Sequence, residues 1–476
     1  MSFLPPVEMN KALKMTGQNN NIEVSARPRG GLVGLFIKSI YFTHLLYYII
    51  AAEVVLLVFA FFFELVEPFA VYALYVIGGL LVVDILILYA NKNGIFGRRN
   101  ALDKLSNGDD NFIQIILENK YLFPARLHVI DELPFQFQSR DSHFKINVDP
   151  GKSKTLNYVV HPVKRGEYSF GALNIFVKSP IGFIQKRYRF SQNMMVPVYP
   201  SFLQMRKYEL LAISNQLTEV GIKKIRRRGN NAEFEQIKEY VSGDDYRTIN
   251  WKATARKNKL MINQFQDEKS QQVYSVIDMG RVMKMPFEGL SLLDYAINSS
   301  LVISNIAMLK QDKAGIITFS NKVQSILAAE RKNAHLQKIL TLLYKQKTGY
   351  LESDFENLYI NVKIKIKQRS LLLIYTNFES LSGLQRQLKY LRRLAKDHLL
   401  VVIFFENTEL RSYLDKPAAT TEEVYNKIIA EKFVYEKKLI VKELEKYGIH
   451  SILTSPQNLS VNTINKYLEL KARGLI

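Results

Sequence analysis

From Tyr41 to Ala90 the chain is almost wholly apolar, and the window holds no lysine or arginine. Two runs lie inside it, 43–63 and 69–89, each about as long as a bilayer-spanning helix. The acidic connector 64–68 joins them, so the pattern predicts a transmembrane hairpin. From about 105 to 200 the pattern changes to short alternations such as Leu173, Ile175 and Val177, broken by turn residues Pro150-Gly151, Arg165-Gly166, Ser179-Pro180 and Ile181-Gly182. Period-two runs between turns predict an all-β sandwich. Beyond 269, apolar strands at 273–278, 314–320, 371–376, 399–405 and 451–453 alternate with helical patterns at 290–309, 355–366, 384–395 and 422–445, with an edge run at 323–327. That alternation predicts an α/β unit built on a doubly wound, mostly parallel sheet. The resulting division is an N-terminal segment 1–40, a hairpin 41–90, a β unit 105–200, linker and helices 201–268, and an α/β unit 269–476.

Charge orients the hairpin. Lys11, Lys14, Arg27, Arg29 and Lys38 precede it, Lys92, Arg98, Arg99 and Lys104 follow it, and the connector holds only Glu64 and Glu67. The positive-inside bias then places both ends, and most of the chain, in the cytoplasm of a bacterial-type plasma membrane. Each span carries one acid. Glu53, near mid-span, is the candidate for a helix–helix hydrogen bond, and Asp84 is expected near the cytoplasmic interface.

The net charge of +21 favours anionic partners. The run Lys223-Lys224-Ile225-Arg226-Arg227-Arg228 offers electrostatic docking to acidic lipid. Nucleic acid is disfavoured, because no stacking aromatics interleave the run. The chain has no cysteine, which excludes disulfides, thiolate metal sites and Cys nucleophiles. GxGxxG and GxxxxGK[ST] loops are missing, which argues against nucleotide binding.

The densest polar block follows the basic run. Phe234, Ile237 and Val241 predict a helix capped by Asn231 and running through Tyr240, ended by Gly243. Asp244 or Asp245 would cap a second helix carrying Arg247, Ile249 and Trp251. The cluster fits an ion pair pinning two helices better than an active site, because no nucleophile or base lies nearby. A hydrolase using Asp244, Asp245 and Arg247 is the alternative. In the α/β unit, Asp278, Asn377, Glu379 and Glu406 are expected beyond the carboxyl ends of the strands, where such sheets place their sites.

Glu233-Phe234, Tyr240, Gly243-Asp244, Arg247, Ile249, Trp251 and Ala255-Arg256, followed by a strand closing on Asp278, resemble the domain-of-unknown-function fifty-eight family of bacterial proteins. The segments 164–168 and 179–183 also resemble family elements; the first position of the latter, commonly an acid in relatives, is Ser179 here. The resemblance implies a membrane hairpin, a β domain, the signature block and a von Willebrand factor A-like domain. It also implies a partnership with a MoxR-type AAA+ ATPase in assembling or activating membrane or envelope proteins. Von Willebrand A domains often hold Mg²⁺ through a DxSxS loop, a distant Thr and a distant Asp. By that resemblance Asp278 is retained, Gly280 and Val282 stand at the two serine positions, Asn377 stands for the distant acid, and Thr348 or Ser353 supplies the middle hydroxyl. A degenerate site at Asp278 and Asn377, with little or no Mg²⁺ binding, is expected. The leading expectation is a membrane-anchored, non-enzymatic adaptor. The alternative is a basic module that binds anionic lipid or nucleic acid.

Overall fold

The computed structural model describes residues 38–475, apart from 64, 92, 101, 139–142, 214–231, 243, 245, 268–269 and 419. The basic run 223–228 and Asn231, Gly243 and Asp245 lie outside the described residues.

Two helices, His44–Phe62 and Glu67–Ala90, form the apolar hairpin, with Glu67 and Pro68 in the first turn of the second. Both are long and apolar enough to cross a membrane, and only 17% and 11% of their most apolar windows are buried in the protein. The helix Leu292–Leu309 has similar length and hydropathy, but 78% of its window is buried. It is therefore a core helix of the α/β unit. Composition alone does not separate the two cases; the covering of the helix does.

The β unit forms three sheets. One has five strands, including Ala125–Asp131, His143–Val148, Leu173–Lys178 and Ile184–Phe190. Its edge strand is Ile40–Phe42, taken from just before the hairpin and paired antiparallel with Ile184–Phe190. A second sheet runs Ile95–Asn100, Asn111–Asn119, Ser153–Val160; a third joins Leu105–Ser106, Met194–Tyr199 and Gly166–Phe170. The β layers thus start ten residues before the expected limit of 105. Burial alternates strictly along Asn111–Asn119, as expected for a strand with one face on a core. Inside, Arg99 forms a buried two-pronged pair with Asp131, which also accepts from the Tyr158 hydroxyl at 2.5 Å.

The hairpin and the β unit are stitched together at one level. Asp84, fully buried, accepts on a single carboxylate oxygen from Ser179 Oγ (2.6 Å), Phe183 N (3.1 Å) and Ile184 N (3.2 Å). Thr43, just before the first helix, donates through Oγ1 to Gly182 O at 2.6 Å. At the end of the second helix, Leu88 O accepts from the Tyr121 hydroxyl (2.9 Å) and from Lys186 Nζ (3.0 Å). A cation and a hydroxyl thereby satisfy a carbonyl that the helix end leaves open. Burial lowers the Lys186 ammonium to a pKa of about 8. Asp84 thus bonds to the β unit through a loop. Glu53 is also buried, but its Oε1 has no hydrogen-bonding partner among the described residues, so the expected bond between the helices is not seen there.

The α/β unit has a six-stranded sheet in the order Val323–Glu330, Lys313–Phe319, Gln272–Asp278, Leu371–Tyr375, Leu399–Phe405, His450–Thr454. All neighbours are parallel except the edge strand Val323–Glu330, which pairs antiparallel. The central strands are buried on both faces, as a helix-covered parallel sheet requires. One face packs Leu292–Leu309, Asn333–Lys345 and Leu459–Ala472; the other packs Phe355–Lys365, Leu381–Asp397 and Thr421–Lys446. Two of these helices start with reciprocal capping boxes, Ser291/Asp294 and Thr420/Glu423. The helix Phe202–Ile213, in the expected linker, packs on the first face through Phe202, Met205 and Tyr208.

Asp294 also receives Arg165 Nε of the β unit at 2.9 Å, and Arg165 Nη1 donates to Leu343 O at 2.6 Å. Tyr199 stacks on Tyr344 with centroids 4.4 Å apart, and Ser201 N donates to Asn298 Oδ1. These contacts seat the α/β unit on the end of the β unit opposite the hairpin.

The signature block departs from the expected helix pair. Residues Ala232–Glu239 form a strand paired antiparallel with Met261–Asp267. The pairing shifts register between Phe234 and Gln236. Such a bulge consumes one residue, so the three-residue spacing from Phe234 to Ile237, which reads as helical, fits a strand. The second expected helix is also displaced. Tyr246–Thr248 is a 3₁₀ turn, Ile249 bridges to Ile262, and the helix is Trp251–Lys257, capped by the Asn250 side chain on Ala253 N.

Candidate functional site: the carboxyl end of the α/β sheet

The sheet reverses its winding between Gln272–Asp278 and Leu371–Tyr375, and the chain leaves both strands at that point. Asp278 closes the first strand and is fully buried. Its Oδ1 accepts from Gly280 N (2.8 Å) and Ser353 Oγ (2.5 Å), and its Oδ2 from Thr376 Oγ1 (2.6 Å). Burial raises its pKa, against the opposing pull of these three donors. Thr348 instead donates to Met279 O at 2.6 Å. Of the two candidates for the middle hydroxyl, Ser353 is therefore the one that meets Asp278.

Gly280 is required here. A Cβ on it would lie 1.9 Å from Ser353 Oγ and 3.0 Å from Asp278 Oδ1. A serine at 280 would need the space that Ser353 fills.

Asn377 faces a cation. Its Oδ1 accepts from Lys437 Nζ at 2.7 Å, and the same ammonium donates to Phe378 O at 2.5 Å. Lys437 is half-buried on the helix Thr421–Lys446, and burial lowers its pKa to about 8. The residues present fit Mg²⁺ poorly. The first loop lacks both hydroxyls, the distant acid is an amide, and that amide's oxygen is already held by an ammonium. Hard cations need several anionic or neutral oxygens free to converge. Among the described residues no group of three or more His, Cys, Asp or Glu could hold a metal ion.

Lys437 was not singled out in the sequence. It lies 60 residues from its partner on a helix with many lysines, and nothing local marks it. Its amine is expected to react with acylating reagents at a half-maximal pH near 8, against about 10.4 for an ordinary lysine. Competitive labelling with mass spectrometry across pH 7–11 reads this directly, and a midpoint shared with the surface lysines would overturn it.

Beside Lys437 a cavity of about 280 Å³ opens between strand ends and helices. Phe287, Phe405, Leu410 and Phe433 are among its apolar lining residues, and Glu379, Glu406, Lys437 and Lys438 supply charge. Asn377 also lines it, so the expected gathering point of Asn377, Glu379 and Glu406 is a real concavity.

The signature residues lie elsewhere, on the two-stranded arm. Glu233 falls on the strand Ala232–Glu239, and Tyr240 N bonds to Leu260 O at 2.8 Å. Asp244 pairs with Lys238 at 3.2 Å and accepts from Val241 N at 3.1 Å. Those bonds lower its pKa, the backbone donor most, which makes it a poorer proton acceptor. The Arg247 guanidinium lies 5.7 Å from the Tyr246 ring centroid. Trp251 is 70% exposed and Tyr246 68%. The expected buried ion pair is instead a turn-closing Lys238–Asp244 contact beside exposed aromatics.

Residues 236–411 match the family described as "Protein of unknown function DUF58". This matched segment runs from the signature arm into the α/β unit, as the residue pattern implied. A similar curated protein is the uncharacterized protein YeaD of Bacillus subtilis (strain 168), 26% identical over 224 residues; the match covers 46% of this chain and 53% of that one. The chain therefore spans about half the length of this relative. Among solved structures, it is similar to the conserved hypothetical protein BatB from Bacteroides thetaiotaomicron, at 12% identity, 43% and 98% coverage and a TM-score of 0.29. It is also similar to an aerotolerance-related membrane protein from Bacteroides fragilis NCTC 9343 carrying multiple mutations to serine, at 11% identity, 42% and 99% coverage and a TM-score of 0.25.

Proposed function

We propose that this protein is a membrane-anchored, non-enzymatic adaptor whose α/β unit is a von Willebrand factor A-like head. The hairpin crosses a bacterial plasma membrane twice, and both ends and the folded units lie in the cytoplasm. The positive-inside charge pattern supports that orientation. The strand order, with its one antiparallel edge, supports the head assignment. A MoxR-type AAA+ ATPase is the proposed partner, in keeping with the family resemblance.

One observation carries the adaptor reading. The switch-point carboxylate is closed off by three protein donors, while an apolar, charge-lined cavity stands open beside it. Chemistry at the usual place has given way to a surface suited to gripping a side chain. The test is a crosslinked pull-down of the tagged protein from its native membrane, with and without ATP. Nucleotide-dependent recovery of an AAA+ ATPase supports the reading. Recovery of lipid alone, or of nucleic acid lost at high salt, refutes it. Reversing Glu379 and Glu406 together to lysine is expected to weaken the captured complex roughly tenfold, equal to about 1.4 kcal/mol. Unchanged affinity would move the docking surface away from this cavity.

A further inference from the structure

We propose that the turn Lys120–Pro124 and the loop Ser179–Phe183 of the β unit lie within the lipid headgroup layer, with the Leu122 side chain inserted among the upper acyl carbons. This rests on the reading of the hairpin as membrane-spanning.

Two independent measurements along the hairpin reach the same level. The first helix has 19 residues and a length of about 28 Å. If its Phe62 end lies at the far face, Thr43 sits at the near boundary of a hydrocarbon core about 30 Å thick. Thr43 is bonded to Gly182 O and Phe183 O. The second helix has 24 residues and a length of about 36 Å, which is longer than the core. Counted from Glu67, the boundary falls near Leu88, whose carbonyl holds the Tyr121 hydroxyl. Asp84, about 6 Å deeper than Leu88, holds the Ser179–Ile184 loop through three donors. The loop and the turn therefore cannot stand clear of the bilayer.

Their chemistry suits that depth. Leu122 is 99% exposed, at the tip of a turn whose neighbour Tyr121 is buried. Pro180 is exposed, and Ile181 is half-buried. Tyr89, Tyr121 and Tyr188 cluster at the same level, with Tyr121 and Tyr188 hydroxyls 2.6 Å apart. Tyrosines concentrate at membrane–water boundaries because the ring is apolar and the hydroxyl wet. Lys120 and Lys178 flank the two loops, within reach of lipid phosphates. The partner is thus the bilayer that the hairpin already enters.

The chain has no cysteine, so single labels are unambiguous. The full chain would be reconstituted in phosphatidylcholine vesicles with a minority of phosphatidylglycerol, with an environment-sensitive dye on Leu122→Cys, Phe135→Cys or Val58→Cys. Phe135 is 84% exposed and lies beyond the far end of the strand Ala125–Asp131; Val58 is 56% exposed on the first helix. Quenching by nitroxide high on the lipid chain is compared with quenching by aqueous iodide. The expected result is severalfold stronger lipid quenching at 122 and 58 than at 135, with iodide favouring 135. If 58 is lipid-quenched and 122 behaves like 135, the insertion is refuted while the spanning hairpin stands. If 58 itself escapes lipid quenching, the spanning reading falls and this inference with it.

Discussion

Asp278→Ala is expected to lower the unfolding free energy of the α/β unit by about 3–5 kcal/mol, because three donors, two of them on buried residues, lose their acceptor at once. Gly280 N, Ser353 Oγ and Thr376 Oγ1 all aim at this carboxylate; Gly280 and Thr376 are buried and Ser353 is half-buried. Asp278→Asn keeps one oxygen for Gly280 and Ser353, and its amide can donate to Thr376, whose hydroxyl rotates freely. It should cost far less. The comparison between these variants separates loss of shape from loss of acceptor. The charge has its own signature. Burial raises the Asp278 pKa above 3.8, so the folded state takes up this proton more readily than the unfolded chain does. That contribution is fully present below 3.8 and is lost as pH rises through the raised value. Wild type should therefore gain stability relative to Asp278→Asn as pH falls from neutral toward 4. Denaturant unfolding of the detergent-solubilised chain at several pH values measures both effects. An alanine variant within 1 kcal/mol of wild type would show that the donors find other partners.

The second large effect is expected at Asp84→Ala. Ser179 Oγ, Phe183 N and Ile184 N converge on one oxygen, and removing it strands two backbone donors in a buried junction. A loss of about 3–4 kcal/mol follows from the usual penalty for each orphaned group. The consequence is local: the loop should open and expose the chain around Pro180. Limited proteolysis of the detergent-solubilised chain, free of the bilayer, would then cut between 179 and 184 severalfold faster, while Asp84→Asn, which keeps an acceptor, restores protection. Equal cutting rates in all three proteins would mean that the edge strand Ile40–Phe42 and the Lys186 contacts hold the junction without it.

Ser179 gains meaning from this pairing. A carboxylate at 179, as the resemblance implies for relatives, would face Asp84 with like charge. The hydroxyl here turns that clash into a 2.6 Å donor contact. The sequence showed both residues but not their meeting, because they are 95 positions apart and only the folded β unit joins them.

The legible parts of the chain were those where period and length agree. The hairpin and the strands of the α/β sheet follow from unbroken apolar runs, and observed limits such as Leu399–Phe405 match the expected ones. The signature arm misled because a bulge shifted its period from two to three. The helix Asn333–Lys345 is absent from the expected elements although Leu336, Ile339, Leu340 and Leu343 recur at helical spacing on its buried face. At the site, Asp278 and Asn377 were readable from their places at strand ends, whereas the Thr376 contact to Asp278 needed the fold. Choosing Ser353 over Thr348 needed coordinates, and Lys437 needed the packing of a distant helix.

The strand Asn111–Asn119 adds a length scale. Its first residues adjoin the seat of the α/β unit, where Gly108 approaches Leu290 and Asp109 accepts from Ser201. Its last residue, Asn119, is followed by the turn that touches Leu88. Nine residues of strand measure about 30 Å. The β unit thus separates the hairpin junction from the α/β unit by about this length. On the adaptor reading proposed above, a client held in the same bilayer would need a tail of about nine extended residues to span that height.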